Sequence, residues 1–282
     1  MAQDRPVKLI VMDVDGTLVD DQKQLPDVNR RALQAAVDAG LHIAIGSGRM
    51  IPSIEIVQET IGLDCAIIAY NGGKVVGPRA ENRPLLSHSP VPAAVAESMI
   101  DFTRERGLCL NFYFEDRLFA DAAHSSAPLP QLYAGRTGSV YQHTNLDELR
   151  GSEPTKMIIL AEPDERNRLF DELVPVWQGK VNIQKTDPEY LELMAPGVDK
   201  ATALPALAGY FGLEVDQVLA VGDADNDVRM VELAGIGVAV SNARETVLEV
   251  ADYKTERDNN DGAVAEAIER WALGGTVPGL WD

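Results

Sequence analysis

Cysteine is nearly absent from this sequence, with only Cys65 and Cys109 in 282 residues. Both lie in apolar stretches and read as buried small hydrophobes, not as a disulfide or a redox pair. Two thiols are also too few for a metal site built on cysteine. The histidines, His42, His88, His124 and His143, show no metal-ligand spacing. His42 reads as a packing residue near a strand start. Positive charge is the next shortage, because 25 Lys and Arg stand against 44 Asp and Glu for a formal net charge of −19. That balance excludes a basic stripe of the kind nucleic acids and anionic membranes need. It also provides no long-range attraction for an anionic small molecule. Long apolar runs are missing too. Leu9 to Met12 and Cys65 to Ala69 are far too short to cross a bilayer. The opening MAQDRPVKLIVMDVDG leads straight from a short apolar run into acids, so the expectation is a cytoplasmic protein without a secretory leader.

What remains is an ordinary globular composition, 45% hydrophobic and 24% charged, in a chain long enough for one large domain or two smaller ones. The hydrophobic pattern predicts β-branched strands at Val7–Met12, Leu41–Ile45 and Cys65–Tyr70. Helices are expected between them, over Pro26–Ala39 with Gly40 as its stop and near Ser53–Ile61. A β-α-β-α-β order of this kind implies a parallel sheet with right-handed crossovers. The rhythm changes over residues 84–189. There the pattern gives a helix at Pro92–Arg106, a hairpin at Leu108–Phe114 and Arg117–Ala120, a strand at Lys156–Leu160 and a helix at Glu165–Trp177. From Tyr190 the first pattern is expected to resume. Strands at Tyr190–Met194, Gln217–Val221 and Ile236–Val240 alternate with helices at Lys200–Phe211 and Asp225–Ala234, and a last helix covers Ala263–Trp271. The expected fold is α/β, a Rossmann-like parallel-sheet core over 1–83 and 190–282 with an inserted α+β domain over 84–189.

Polar residues fall at the carboxyl ends of the expected core strands, where open parallel sheets bind ligands. Asp13, Ser47, Asn71 and Asp223 each follow such a strand, and each has glycine nearby. The pair Asp13 and Asp15 can divide labour, one carboxylate attacking phosphorus while the other handles the leaving-group proton. Asp223 and Asp227, four residues apart, add hard oxygen ligands with no His or Cys among them, a set that suits Mg²⁺. Acids also favour helix starts, which explains Asp227 adequately and Asp225 entirely, though not a carboxylate pair matching the one at Asp13. Lys200 opens a helix, where the dipole disfavours a cation, so an anion is expected against it. Ser47, Gly48 and Arg49 open a helical stretch whose hydroxyl and backbone N–H groups suit a phosphate.

The segments DVDGTLVD (13–20), GSGR (46–49), the Lys200 region and GDADND (222–227) resemble the four ordered motifs of the haloacid dehalogenase superfamily of phosphatases. YNGG (70–73), AGIGVAVSNA (234–243), ADYKT (251–255) and NNDGAVAEAI (259–268) resemble its Cof-type branch, which includes sugar phosphatases. The resemblance covers about 1–80 and 190–282. It implies that Asp13 is the nucleophile and that Asp15 is general acid and then base. Mg²⁺ would be held by the Asp13 carboxylate, the Asp15 carbonyl and Asp223, with Asp227 supporting that shell. Ser47, Gly48, Lys200 and Asn226 would hold the phosphoryl group, with Asn71 and Arg49 as further substrate contacts. The insert would be the family's cap, closing over the site. The expected activity is hydrolysis of a small phosphorylated metabolite, a sugar phosphate foremost, through an aspartyl-phosphate. A phosphomutase of the same superfamily, or a phospho-accepting regulatory module, would carry similar motifs. The second fits less well, because a receiver needs no leaving-group acid.

Overall fold

Residues 6–124 and 126–281 are described by a computed structural model. The first five residues, on which the leader reading partly rests, lie outside that range. The chain divides into two compact units, Met1–Ser87 with Asp199–Asp282, and His88–Val198. The strands, in chain order, are β1 (Leu9–Met12), β2 (His42–Gly46), β3 (Ala66–Ala69), β4 (Lys74–Val76), β5 (Leu85–His88), β6 (Cys109–Phe114), β7 (Arg117–Asp121), β8 (Tyr141–Thr144), β9 (Lys156–Leu160), β10 (Asn182–Asp187), β11 (Tyr190–Met194), β12 (Val218–Gly222), β13 (Ile236–Ala239) and β14 (Tyr253–Lys254). The helices are α1 (Asp27–Asp38), α2 (Ile51–Ile61), α3 (Ala93–Glu105), α4 (Pro128–Thr137), α5 (Pro163–Trp177), α6 (Lys200–Tyr210), α7 (Val228–Leu233), α8 (Glu245–Leu248) and α9 (Ala263–Ala267). None of the described helices is long and apolar enough to cross a membrane.

The first unit is built on an eight-stranded sheet in the order β14-β13-β12-β1-β2-β3-β4-β5. Its central strands are buried apolar runs (LIVM in β1, AIIA in β3, VLAVG in β12), as a sheet covered on both faces requires. β1 lies between β12 and β2, parallel to both, with Met12 level with Val221 on one side and Ile45 on the other. β3 continues the parallel run, with Ile68 level with Gly46. The carboxyl ends of four strands therefore share one edge, and the residues just beyond them are brought together. One core cluster joins Leu9, Val11, Ala44, Ile68 and Ala220 of the sheet to Ala203, Leu204 and Leu207 of α6.

The second unit is a six-stranded sheet, β10-β11-β9-β6-β7-β8, all antiparallel except the β7–β8 pair. It has its own core, in which Leu110, Phe112, Met157, Ile159, Leu191 and Leu193 of the sheet meet Val95, Met99, Leu169 and Leu173 of the helices.

The α/β class and the parallel core match the sequence expectation. Tyr190–Met194 does not resume the parallel pattern. It is β11, paired antiparallel to β9 and β10, with Tyr190 level with Leu160. A short apolar run is equally at home in either sheet, and pairing alone decides. The second unit accordingly runs to Val198, and the chain re-enters the first at Asp199. α7 also starts three residues later than the expected Asp225, because residues 223–227 form a turn.

Candidate functional site

Asp13 follows β1 directly, and its N–H donates to Val221 O at 3.0 Å, which ties it to the neighbouring strand end. Lys200, the first residue of α6, is wholly buried and reaches the same edge. Its Nζ donates to Asp13 Oδ1 at 2.5 Å and to Asp227 Oδ1 at 2.6 Å. The anion expected against this helix-start lysine is therefore a pair of buried carboxylates. Asp227 is saturated, since its Oδ2 also accepts from the N–H groups of Asp223 and Ala224 at 3.1 Å each. Its carboxylate thus shapes the turn after β12. Asp225 faces outward to Arg244 and Thr246, and because α7 opens only at Val228 it does not sit at the helix start expected of it.

Asp13, Asp223 and Asp227 each place a carboxylate oxygen within 4.8 Å of the others. Three acids sharing one buried ammonium leave an excess of negative charge. Burial pushes Asp13 upward against the pull of Lys200, and its two acidic neighbours push the same way. Burial likewise raises Asp223 to about 6, with Asp227 adding to the rise and the Thr17 hydroxyl and Lys200 opposing it. Lys200 stays above the ordinary lysine range despite its burial, because both carboxylates hold its proton. Asp13 uses one oxygen for Lys200, and Asp223 uses one for Thr17 Oγ1 at 2.8 Å. Among the described residues, nothing donates to the second oxygen of either. Oxygen-only donors, excess negative charge and two open carboxylate oxygens fit a hard divalent cation such as Mg²⁺.

Asp15 turns elsewhere. Arg49 grips it with two bonds, Nη2 to Oδ1 at 2.6 Å and Nε to Oδ2 at 2.9 Å, and Lys23 Nζ reaches Oδ1 at 2.9 Å. Burial would raise this carboxyl, but the two cations outweigh it and hold it below the usual carboxylate range. Ser47 is buried, and its Oγ accepts from the Arg49 N–H at 3.2 Å. α2 opens only at Ile51, so Ser47 is not its cap but part of the turn after β2. Asn71 closes the edge. Its N–H donates to Ser47 O at 2.9 Å, and its Oδ1 accepts from Asn226 Nδ2 at 2.9 Å. A Cβ on Gly48 would lie 3.1 Å from the Asn71 amide, and one on Gly72 only 2.1 Å from Asp199 O. These two glycines allow the turns after β2 and β3 to close around the start of α6.

All ten residues singled out from the sequence thus lie in the first unit, at or beside one sheet edge. Sequence reasoning missed Thr17 and Lys23. Thr17 belongs to the DVDGT run, so its hydroxyl two residues past Asp15 was a usable signal. Lys23 reaches Asp15 through a turn held by Asp20, with Lys23 itself at φ 61°, and no pattern announces that contact. His42 stacks on Phe211 with centroids 4.0 Å apart, a packing role as read. Both thiols are buried and pushed up, to about 11 at Cys65 and about 12 at Cys109, which leaves them unreactive.

A family model described as haloacid dehalogenase-like hydrolase matches residues 10–268. The chain is 29% identical over 272 residues to a 5-amino-6-(5-phospho-D-ribitylamino)uracil phosphatase of Bacillus subtilis strain 168, covering 96% of this chain and 98% of that one. It is 29% identical over 267 residues to a phosphoglycolate phosphatase of Methanoculleus marisnigri, covering 94% and 97%. Among solved structures, a haloacid dehalogenase-like hydrolase from Bacteroides thetaiotaomicron superposes with a TM-score of 0.85 at 30% identity, covering 94% of this chain and 99% of that one.

Proposed function

As the chain belongs to the haloacid dehalogenase-like hydrolases, we propose that it is a Mg²⁺-dependent phosphatase that removes the phosphoryl group from a small metabolite through an aspartyl-phosphate on Asp13. The observation that carries this reading is the buried Asp13–Lys200–Asp227 system, with Asp223 beside it and the free oxygen of Asp13 directly past a strand end. Asp13 attacks phosphorus through one carboxylate oxygen and leaves the other for the metal, while Lys200 fixes the carboxylate's direction. Asp13, Asp223 and the Asp15 carbonyl would hold Mg²⁺, which when bound neutralises phosphoryl charge and polarises its oxygens. Ser47, the Gly48 N–H, Lys200 and Asn226 bind the phosphoryl oxygens, so that charge stabilisation is in place before reaction. Asp15, once it has taken up a proton from solvent, gives it to the leaving oxygen, and the carboxylate so formed then takes a proton from the attacking water. For the first step it must leave Arg49 and Lys23. An incoming phosphoryl dianion competes for the same two cations and provides the means. The substrate class that fits is a phosphorylated sugar or polyol, and the phosphoribityl group in the name of the Bacillus relative supports it.

The test separates the two acids. Asp15→Asn, given a nitrophenyl phosphate whose leaving group needs little protonation, should phosphorylate and stall, with the adduct on Asp13 by mass spectrometry. Asp13→Asn should form no adduct. An adduct on Asp15, or normal turnover by Asp13→Asn, would overturn the assignment. Phosphate release from a panel of sugar, polyol and nucleotide monophosphates then identifies the substrate class.

A further inference from the structure

The tail motifs SNA (241–243) and NND (259–261) are not used by the chemistry above, yet they meet the Asp13–Asp15 loop. Three asparagine amides hold three carbonyls of that loop. Asn242 Nδ2 donates to Gly16 O at 2.8 Å, Asn29 Nδ2 to Leu18 O at 3.0 Å and Asn259 Nδ2 to Val19 O at 3.1 Å. The amides are themselves oriented by backbone donors. Asn242 Oδ1 accepts from the Asn259 N–H at 3.0 Å, and Asn29 Oδ1 from the Ala265 N–H at 2.9 Å. Asn29 and Asn259 are buried, whereas Asn242 is exposed.

Asn242 has a second connection. Two residues on, the Arg244 N–H donates to the backbone carbonyl of Asp223 at 2.8 Å. One short turn therefore grips both acidic loops, the Asp13 loop at Gly16 O and the Asp223 loop at its own carbonyl. Between these grips the loops touch directly. Thr17, next after Gly16, bonds the Asp223 carboxylate, and a Cβ on Gly16 would sit 2.5 Å from Asp223 Oδ2. Tilting the Gly16–Thr17 peptide would move Thr17 Oγ1 and the preceding Asp15 carbonyl together.

We propose that Asn242, oriented by Asn259, is a positioning residue for the divalent-metal site, setting the spacing between the Asp13–Thr17 loop and Asp223. The assignment rests on the metal reading given above. Groups that orient metal ligands without binding the ion typically change affinity about 10–100-fold when removed. Asn242→Ala and Asn242→Asp remove the donor to Gly16 O, and the second also places a carboxylate against that carbonyl. Asn242 is exposed and Asn242→Asp keeps an acceptor for the Asn259 N–H, so its metal-free melting temperature should stay close to wild type, whereas Asn242→Ala gives up that acceptor and should melt a few degrees lower.

Titration calorimetry with Mn²⁺ on the full chain is the test, with Asn259→Ala as a comparison that keeps the backbone N–H to Asn242 Oδ1 and removes instead the side-chain donor to Val19 O and Asp21. The expected result is about tenfold weaker binding or more in both Asn242 variants, with Asn242→Asp the weaker, and a smaller loss in Asn259→Ala. In turnover, the Mg²⁺ concentration for half-maximal rate should rise by the same factor. The KM for the phosphate ester at saturating Mg²⁺ should stay at its wild-type value. Wild-type Mn²⁺ affinity in the Asn242 variants, or an affinity loss that only follows a loss of folded protein, rejects the assignment. Asp223→Asn is the control for the metal reading, since undiminished Mn²⁺ binding there would remove the metal site itself and not merely its support.

Discussion

At the scale of single residues, the site is a problem in charge balance, and its solution makes function and stability oppose each other. Burial and Asp227 raise Asp223 to about 6, well above its value in an unfolded chain. A group raised on folding contributes stability below its unfolded pKa, and that contribution is lost as pH rises through the folded one. Without metal, Asp223 is therefore a liability at pH 7 and not at pH 4. Asp223→Asn should stabilise the metal-free protein by about 1–2 kcal/mol at pH 7.5, the effect of a carboxyl raised to about 6, discounted for partial exposure. The gain should vanish near pH 4, and activity should be lost at every pH. Chemical denaturation with chelator at the two pH values checks this, and an equal gain at both would refute the charge argument. In the wild type, Mg²⁺ affinity should fall as pH drops below about 6, where Asp223 takes up its proton. Lys200→Met makes the converse case. It leaves two buried carboxylates facing each other without their shared cation, so a loss of about 3–5 kcal/mol is expected at pH 7.5, partly recovered by Mg²⁺.

At the scale of elements, what the sequence disclosed follows from what a short apolar run can encode. β1, β2, β3 and β12 were legible because strands buried on both faces read as continuous β-branched runs, and the reactive residues stand where those runs stop. Asp13 and Asp223 were legible for the same reason, whereas Lys200 was read from its place at a helix start and Asp227 from its spacing to Asp223. Pairing was not. YLELM in β11 carries no mark of which sheet it joins. β8 (YQHT) and β10 (NIQKTD) escaped notice because edge strands of the second sheet are polar. The contact between Asp15 and Lys23 was out of reach, since it depends on a side-chain-held turn. β11 also carries a feature no periodicity shows. Glu192 and Lys156 of β9 form a buried pair 3.3 Å apart, and Glu192 keeps Lys156 above the lysine range against the effect of burial. Glu192→Gln should destabilise the second unit by about 3–5 kcal/mol, because it leaves a buried ammonium without its counter-charge. Lys156→Met with Glu192→Leu should restore most of that loss. Hydrogen exchange of the β9 and β11 amides reads this locally, and equal protection in the single and double variants would sink the argument.

At the scale of the whole molecule, a net charge of −19 surrounds a site that must admit an anion and hold a cation. The two needs respond to salt in opposite directions. For a phosphate ester, the long-range field is repulsive, and attraction begins only near Arg49, Lys23 and Lys200. Raising ionic strength from 0.02 to 0.2 M shortens the Debye length from roughly 20 Å to roughly 7 Å. That removes most of the distant repulsion. It weakens the contact with Lys200 far less, because a buried group is poorly screened. At saturating Mg²⁺, kcat/KM for a dianionic ester should therefore rise with salt, by less than about tenfold, while kcat stays level. For Mg²⁺ the same field is attractive, so its apparent affinity should weaken over the same range. Stopped-flow substrate capture and Mn²⁺ calorimetry at matched ionic strengths measure the two slopes. The opposite signs make the test strict. A kcat/KM that falls with salt would mean that the cations at the site mouth, and not the net charge, govern approach. A Mg²⁺ affinity indifferent to salt would mean that the three carboxylates alone determine capture of the ion.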